Sequence, residues 1–244
     1  MENCDFTATE KVGEGLFVCV SKAHRFGTDS VLLANFANAK NKDLVCDLGT
    51  GCGIIPILLH KYYNPRKIYA IDIQKSAVEL AKQSVKISGL EDKITVKNSD
   101  LKSASDLPEN FFDLVVCNPP YKALGSGVAS KTRNDLIARH EYLCCIQDVC
   151  FAAKRLLKFG GRLCVSQRTE RLPDTICAMR KFNIEPKLIR FCAKNKDSSP
   201  WMFLIEGRKG GGRFLKVLPI LSMYDQNGEF SEEVKKIYSA GGKF

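Results

Sequence analysis

From about Asp43 the chain alternates short, β-rich apolar runs with amphipathic stretches of helical period. That alternation predicts a parallel sheet with helices packed on both of its faces. Leu44–Leu48 reads as the first strand, a glycine-rich turn follows, and Ile54–Tyr63 reads as the first helix of the core. Ile68–Ile71 is the second strand. Between Gln74 and Ser88 the apolar positions fall at Ala77, Val78, Ala81, Val85 and Ile87, and the stretch stops at Gly89, so it reads as a helix closed by glycine. Ile94–Val96, Phe112–Cys117 and Arg162–Val165 supply further strands, with a long helix from about Asn134 to Leu157 between the last two. A helix over Arg171–Phe182 is followed by two strands in succession, Leu188–Phe191 and Met202–Glu206, which predicts an antiparallel hairpin at the sheet edge. Ahead of the core, Asp29 is expected to cap a helix running from Ser30 to about Asn38.

No internal repeat or low-complexity block interrupts this pattern, and 244 residues suit one α/β domain with additions. The expected layout is an N-terminal extension and helix over 1–42, a core over 43–207, and a basic loop and tail over 208–244. Gly207–Arg213 reads as a flexible basic loop, and Asn227-Gly228 as a turn. No apolar run approaches the roughly 18 residues of a membrane helix, and Met1-Glu2-Asn3-Cys4-Asp5 lacks the features of a signal peptide. These readings predict a cytoplasmic protein with no membrane partner; the oligomeric state is not legible.

Eleven cysteines, an odd number without a spacing framework, sit mostly in apolar stretches such as Leu44-Val45-Cys46 and Val115-Val116-Cys117. There they act as small core residues in a reducing compartment. His140, Cys144, Cys145 and Cys150 come nearest to a metal set but lack the paired Cys-x-x-Cys spacing of structural zinc, so no metal is expected. The formal charge of +10, spread along the chain, favours a polyanionic partner, with solubility as the competing explanation.

The candidate chemistry begins at Asp47-Leu48-Gly49-Thr50-Gly51-Cys52-Gly53, which leaves a strand and enters a helix. Its glycines let backbone amides approach a ligand. A nicotinamide-binding turn spaces its glycines differently and needs glycine or alanine where this chain has Ile54. Asp47 suits a cationic amine better than a pyrophosphate. Asp72, ending the second strand, can accept from both hydroxyls of a ribose, and Asp100, after the third, from an adenine amine. Singly these acids read as turn residues; in this order along one sheet edge they converge on one crevice. This set resembles the cofactor motifs of the class I S-adenosylmethionine-dependent methyltransferases. The resemblance implies a Rossmann-like α/β fold with a mostly parallel seven-stranded sheet, helices on both faces and an antiparallel edge hairpin. It also implies S-adenosyl-L-methionine as cofactor, held by Thr28, Asp47, Gly49, Gly51, Gly53, Asp72, Ile73, Asp100, Leu101 and Asn118. Thr28, in His24-Arg25-Phe26-Gly27-Thr28-Asp29, would help hold the methionine carboxylate.

Asn118-Pro119-Pro120-Tyr121 leaves the fourth strand at the same edge. An adenine amino nitrogen is a poor nucleophile because its lone pair is delocalised into the ring. The Asn118 side-chain oxygen and the Pro119 carbonyl can accept its two N–H bonds and shift it towards sp³ character. Pro119 and Pro120 fix the backbone, and Tyr121 can stack on a flipped base. The bland reading is a proline turn with a surface tyrosine. The tetrapeptide resembles the catalytic motif of enzymes that methylate nitrogen conjugated to a π system, a class that includes adenine-N6 and glutamine-N5 methyltransferases.

His24–Ala34, Ile137-Ala138-Arg139-His140-Glu141, Leu204-Ile205-Glu206-Gly207 and the tail around Leu218-Pro219 and Tyr224-Asp225 resemble the bacterial tRNA-Val adenine-N6 methyltransferase family. This implies N6-methylation of an adenine in tRNA, next to the anticodon of tRNA-Val, with tRNA as partner. The alternatives are a ribosomal RNA base N-methyltransferase, a glutamine-N5 protein methyltransferase and a non-enzymatic RNA-binding protein. RNA contacts are expected from Lys122, Lys131 and Arg133, with the 208–213 loop as a weaker candidate. Ser199-Pro200-Trp201 departs from the family pattern by its bulky aromatic and is read as a cover for the sheet edge.

Overall fold

The computed structural model describes residues 6–103, 106–119 and 144–240. The chain starts with a hairpin, β1 (Phe6–Gly13) and β2 (Leu16–Ser21), which stands apart from the main sheet. The pattern had left this stretch unassigned. Helix α1 (Thr28–Phe36) follows, and then β3 (Leu44–Leu48), α2 (Ile54–Tyr63), β4 (Lys67–Asp72), α3 (Lys75–Ile87), β5 (Ile94–Asn98) and β6 (Phe112–Cys117) in regular alternation. The second half comprises α4 (Ile146–Leu156), β7 (Leu157–Arg168), α5 (Leu172–Lys181), β8 (Ile184–Ala193), β9 (Met202–Lys209), the two-residue strands β10 (Lys216–Val217) and β11 (Leu221–Ser222), and α6 (Glu232–Ala240). The long helix expected from Asn134 is described only from Ile146, its first part lying outside the described residues.

The main sheet runs β10-β8-β9-β7-β6-β3-β4-β5, with β11 pairing β8 beyond β10. The seven expected strands are all present, and β10 and β11 extend the sheet at one side. Strands β3 to β7 pair in parallel, and β9 inserts antiparallel between β7 and β8. This is the antiparallel hairpin that two consecutive strands predict. Successive residues of a strand face opposite sides of the sheet, so β3 sends Val45 into one core and Cys46 into the other, and β6 divides Leu114 and Val116 from Val115 and Cys117. All ten described cysteines are free thiols, seven of them buried. No described helix is long and apolar enough to cross a membrane.

The hairpin is fixed by Ser84 of α3 and Ser88 at its C-cap rather than by another strand. Ser84 Oγ accepts from the Cys19 amide at 2.8 Å, and Ser88 Oγ, one turn later, accepts from the Phe17 amide at 2.9 Å. Their spacing of four puts both hydroxyls on one helical face, where they satisfy the amides of an otherwise bare strand edge. Arg162 ties the far end of α1 to the sheet, donating to the Ala37 carbonyl at 2.9 Å and to Glu206 and Asp43 at 3.0 and 3.2 Å.

Two local expectations need correction, and the expected turn at Asn227-Gly228 is present. Asp29 is not the cap of α1: Gly27 holds that position and Asp29 lies within the first turn. Glycine-rich 207–213 is not a loop throughout, since Gly207 to Lys209 complete β9. The tail is ordered by a tight turn at Asn227-Gly228, where Asp225 and Glu229 pair, and it ends in α6, which the pattern did not reveal.

Candidate active site

The strand connections leave β3 towards β4 and leave β6 towards β7, so the order reverses between two neighbouring strands, β3 and β6. In open parallel sheets ligands bind beyond the carboxyl ends of the strands at such a switch point. A cleft of about 360 Å³ opens there, within the range of ordinary small-molecule sites. Its walls come from the ends of β3, β4 and β6, the residues after β5, and the approach to α1.

The turn after β3 is set by backbone bonds: the amides of Gly49 and Thr50 both donate to the Ile71 carbonyl at 2.9 Å. Gly49 and Gly51 take φ of +73° and +57°, and a Cβ on either would project into open space at the cleft. Left-handed backbone and unobstructed amides therefore coincide at these two positions. Gly53, with φ of +84°, serves packing instead: its Cβ would meet Ala81 of α3, and it does not line the cleft.

Asp72 joins the turn to the next helix. One carboxylate oxygen accepts from the Gly51 amide and the other from the Gln74 amide, each at 2.9 Å, while the group as a whole faces the cleft. Burial raises its pKa, and the backbone donors oppose that rise. Asp100 lines the cleft and also behaves as a turn residue, accepting from the Lys102 amide at 2.9 Å. Ile73, 45% exposed, and Leu101 lie beside these acids on the wall.

Asp47 is fully buried beneath the turn and does not reach the cleft wall, contrary to its expected place against a bound amine. Among the described residues, both of its oxygens lack a hydrogen-bond partner, as does the neighbouring Thr50 hydroxyl. Burial pushes the Asp47 carboxyl up to about 7. The Thr50 hydroxyl works against this without completing a bond, and the charge of Asp72 adds to it. Thr28 is also off the wall, its hydroxyl accepting from Tyr238 at 3.3 Å.

Asn118 and Pro119 line the cleft. The Asn118 amide nitrogen donates to Asp29 Oδ2 at 3.1 Å and Ser30 Oγ at 3.0 Å, and its oxygen accepts from Ser166 Oγ at 2.5 Å. Pro120, Tyr121, Lys122, Lys131, Arg133 and His140 lie outside the described residues. No group of three or more metal-ligating side chains occurs among the described residues.

The other RNA candidate, the 208–213 loop, is at the wrong edge. Lys209 bonds Asn110, ahead of β6, and the Leu157 carbonyl at the start of β7, which puts the loop at the amino ends of the strands. Trp201 packs against the core and does not line the cleft, which fits a cover for the sheet. Sequence reasoning passed over His24, whose ring bonds Ser76 at 3.0 Å on the cleft wall, and whose pKa burial lowers against the pull of Asp72. It also passed over Ser166, a polar residue one step beyond the expected end of its strand.

Residues 21–182 match the methyltransferase small domain family. The chain belongs to that family. This methyltransferase is 30% identical to a tRNA1(Val) (adenine(37)-N6)-methyltransferase of Histophilus somni over 88% of its own length and 89% of the relative's. It is 36% identical to the protein of the same name from Phocaeicola vulgatus, an alignment covering 57% of each chain, and the match to the Vibrio campbellii relative covers 46% of each. Among solved structures, a predicted O-methyltransferase of Agrobacterium tumefaciens superposes with a TM-score of 0.73 over 89% of this chain and 98% of the other, at 18% identity. A tRNA m1G37 methyltransferase of M. jannaschii gives 0.59 at 20% identity, covering 86% of this chain and 59% of the other. At such identities the likeness establishes the Rossmann-like methyltransferase fold and nothing finer.

Proposed function

We propose that this methyltransferase, acting as a single domain in the cytoplasm, transfers a methyl group from S-adenosylmethionine to the N6 amine of an adenine in tRNA. The observation that carries the reading is the Asn118 amide held in the same cleft that Gly49, Gly51 and Asp72 line. The relatives named for adenine 37 of tRNA1(Val) support tRNA-Val, beside the anticodon, as the substrate.

The residues present suit the cofactor. Two glycines leave room where side chains would fill the cleft, a carboxylate offers acceptors for a ribose diol, and a cation bound above the turn would favour the ionised form of the buried Asp47 carboxyl beneath it. Asp72, Ile73, Asp100 and Leu101 would hold the adenosine part, and the 49–51 turn the methionine part. Thr28, Asp47 and Gly53 would act indirectly, through the position and field of that turn. When bound, the cofactor supplies an electrophilic methyl group.

The chain's own contribution is orientation and charge complementarity. The Asn118 oxygen and the Pro119 carbonyl would accept the amine's N–H bonds, directing the nitrogen lone pair to the methyl group. As positive charge develops on that nitrogen its N–H groups become stronger donors, so acceptors already in place stabilise the transition state more than the ground state. Tyr121 would stack on the base, and Lys122, Lys131 and Arg133 would engage phosphates.

Nucleoside mass spectrometry after incubating tRNA-Val transcript, ribosomal RNA and release-factor protein separately with the enzyme and cofactor tests the proposal. N6-methyladenosine in the tRNA is the expected outcome. Methylation of ribosomal RNA or of protein glutamine alone would overturn it.

A further inference from the structure

The Asn118 side chain sits at the end of β6, one residue beyond the register pair Cys117 and Val165, so Ser166 of β7 is its natural neighbour across the sheet. From the other side, the first turn of α1 presents Asp29 and Ser30. A carboxylate at neutral pH only accepts hydrogen bonds, so the atom of Asn118 that lies 3.1 Å from Asp29 must be its nitrogen. The oxygen is thereby directed to the Ser166 side, where the buried hydroxyl meets it. Three contacts from two elements far apart in sequence fix a torsion that Asn118 alone would leave free.

The surroundings are built for this contact. A Cβ on Gly27 would stand 2.6 Å from Asp29 Oδ1, so the glycine before α1 makes room for the carboxylate. The same oxygen accepts from the Ser30 amide at 3.0 Å, which orients the carboxylate towards Asn118. A negative charge facing the amide N–H groups also draws electron density onto the amide oxygen and strengthens it as an acceptor.

We infer that Asp29 and Ser166 are positioning residues for Asn118: they lock its amide with the oxygen presented to the substrate amine and, through Asp29, raise that oxygen's accepting power. The inference rests on the proposed function for the identity of the substrate, but the locked amide is a property of the protein itself. Ser166 does not line the cleft, and Asp29, which does, already has its carboxylate engaged by the Asn118 amide and the Ser30 amide.

Two measurements test it. In protein labelled with ¹⁵N-asparagine, the Asn118 side-chain NH₂ signal, assigned by its loss in Asn118→Ala, should be shifted downfield and protected from solvent exchange. Asp29→Ala should abolish both features and Asp29→Asn should remove the shift. In single-turnover methylation with saturating cofactor, Asp29→Ala and Ser166→Ala should each slow transfer roughly 10- to 100-fold. For Ser166→Ala, off the cleft wall, cofactor affinity and melting temperature should stay near wild type, and Ser166→Thr should restore the rate. In an Asn118→Ala background the same two substitutions should change the rate less than about 3-fold, because they act through the missing amide. An unshifted NH₂ signal, or full additivity with Asn118→Ala, overturns the positioning role. Wild-type protein that leaves tRNA adenine unmethylated overturns the proposed function, while the NH₂ measurement still decides the lock.

Discussion

Gly53 faces Ala81 so closely that a Cβ on the glycine would stand 3.2 Å from the Ala81 Cβ and 3.3 Å from its Cα. Helix α3 is thus packed directly on the end of the glycine turn after β3. Gly53→Ala should lower stability by about 2 kcal/mol or more, combining left-handed strain with overpacking against a backbone atom. Gly49→Ala and Gly51→Ala bear only the strain, about 1–2 kcal/mol, and should instead lose most of their cofactor affinity. Urea unfolding beside calorimetric titration separates the two classes; equal stability losses at all three positions would contradict the assignment of Gly53 to packing.

The buried Asp47 carboxyl makes stability depend on pH. Its folded pKa of about 7 lies above the ordinary value of 3.8, so between those pH values the folded chain holds a proton that the unfolded chain has released. Folded stability therefore falls as pH rises through that window, by an amount on the order of a few kcal/mol. Asp47→Asn cannot titrate. Its stability relative to wild type should improve steadily from about pH 4 to about pH 7, and thermal melts at several pH values check this. A constant difference across the range would remove Asp47 as the cause.

Asp72 holds the glycine turn through the Gly51 and Gln74 amides and, in the proposed site, offers acceptors to a ribose; substitutions divide the two. Asp72→Ala removes acceptors for a ribose diol and for the Gly51 and Gln74 amides together, so cofactor affinity should fall by roughly 1–3 kcal/mol with some loss of stability. Asp72→Asn keeps one acceptor and should lie between the two. Calorimetric titration with S-adenosylhomocysteine measures the effect, and wild-type affinity in Asp72→Ala would remove it from the site.

At the other side of the sheet, Arg190 of β8 meets Glu233 of α6 in a two-pronged pair of 2.7 and 2.8 Å. The arginine side chain is 5% exposed and its partner's about half exposed. Glu233→Ala leaves a buried cation with less compensation, and screening at the exposed end moderates the loss to about 1–2 kcal/mol. Arg190→Met, which removes the charge as well, should be better tolerated than Glu233→Ala. Denaturant midpoints of the two variants decide the order.

Much of the core was legible because its signals are local. Leu44–Leu48, Ile54–Tyr63 and Phe112–Cys117 begin and end where apolar periodicity and the glycine turn place them. The candidate cleft could be read the same way, since Gly49, Gly51, Asp72 and Asn118 each stand at or just beyond the end of a strand and parallel strands deliver their carboxyl ends to one edge. The β1–β2 hairpin and α6 escaped because their order depends on partners elsewhere: β2 borrows serine hydroxyls from α3, and α6 is held by Arg190.

The sequence by itself determined the parallel α/β core, the edge on which the chemistry gathers and the residue types available there. Only the tertiary structure decided which atoms face which. It buried Asp47 beneath the turn, gave Gly53 to packing, sent the basic 208–213 loop to the opposite edge, and brought Asp29 and Ser166, 89 and 48 residues from Asn118, onto one amide. Periodicity and turn chemistry are properties of neighbouring residues, whereas a side chain's orientation and charge state depend on contacts made across the chain, which exist only once the sheet has closed on its helices.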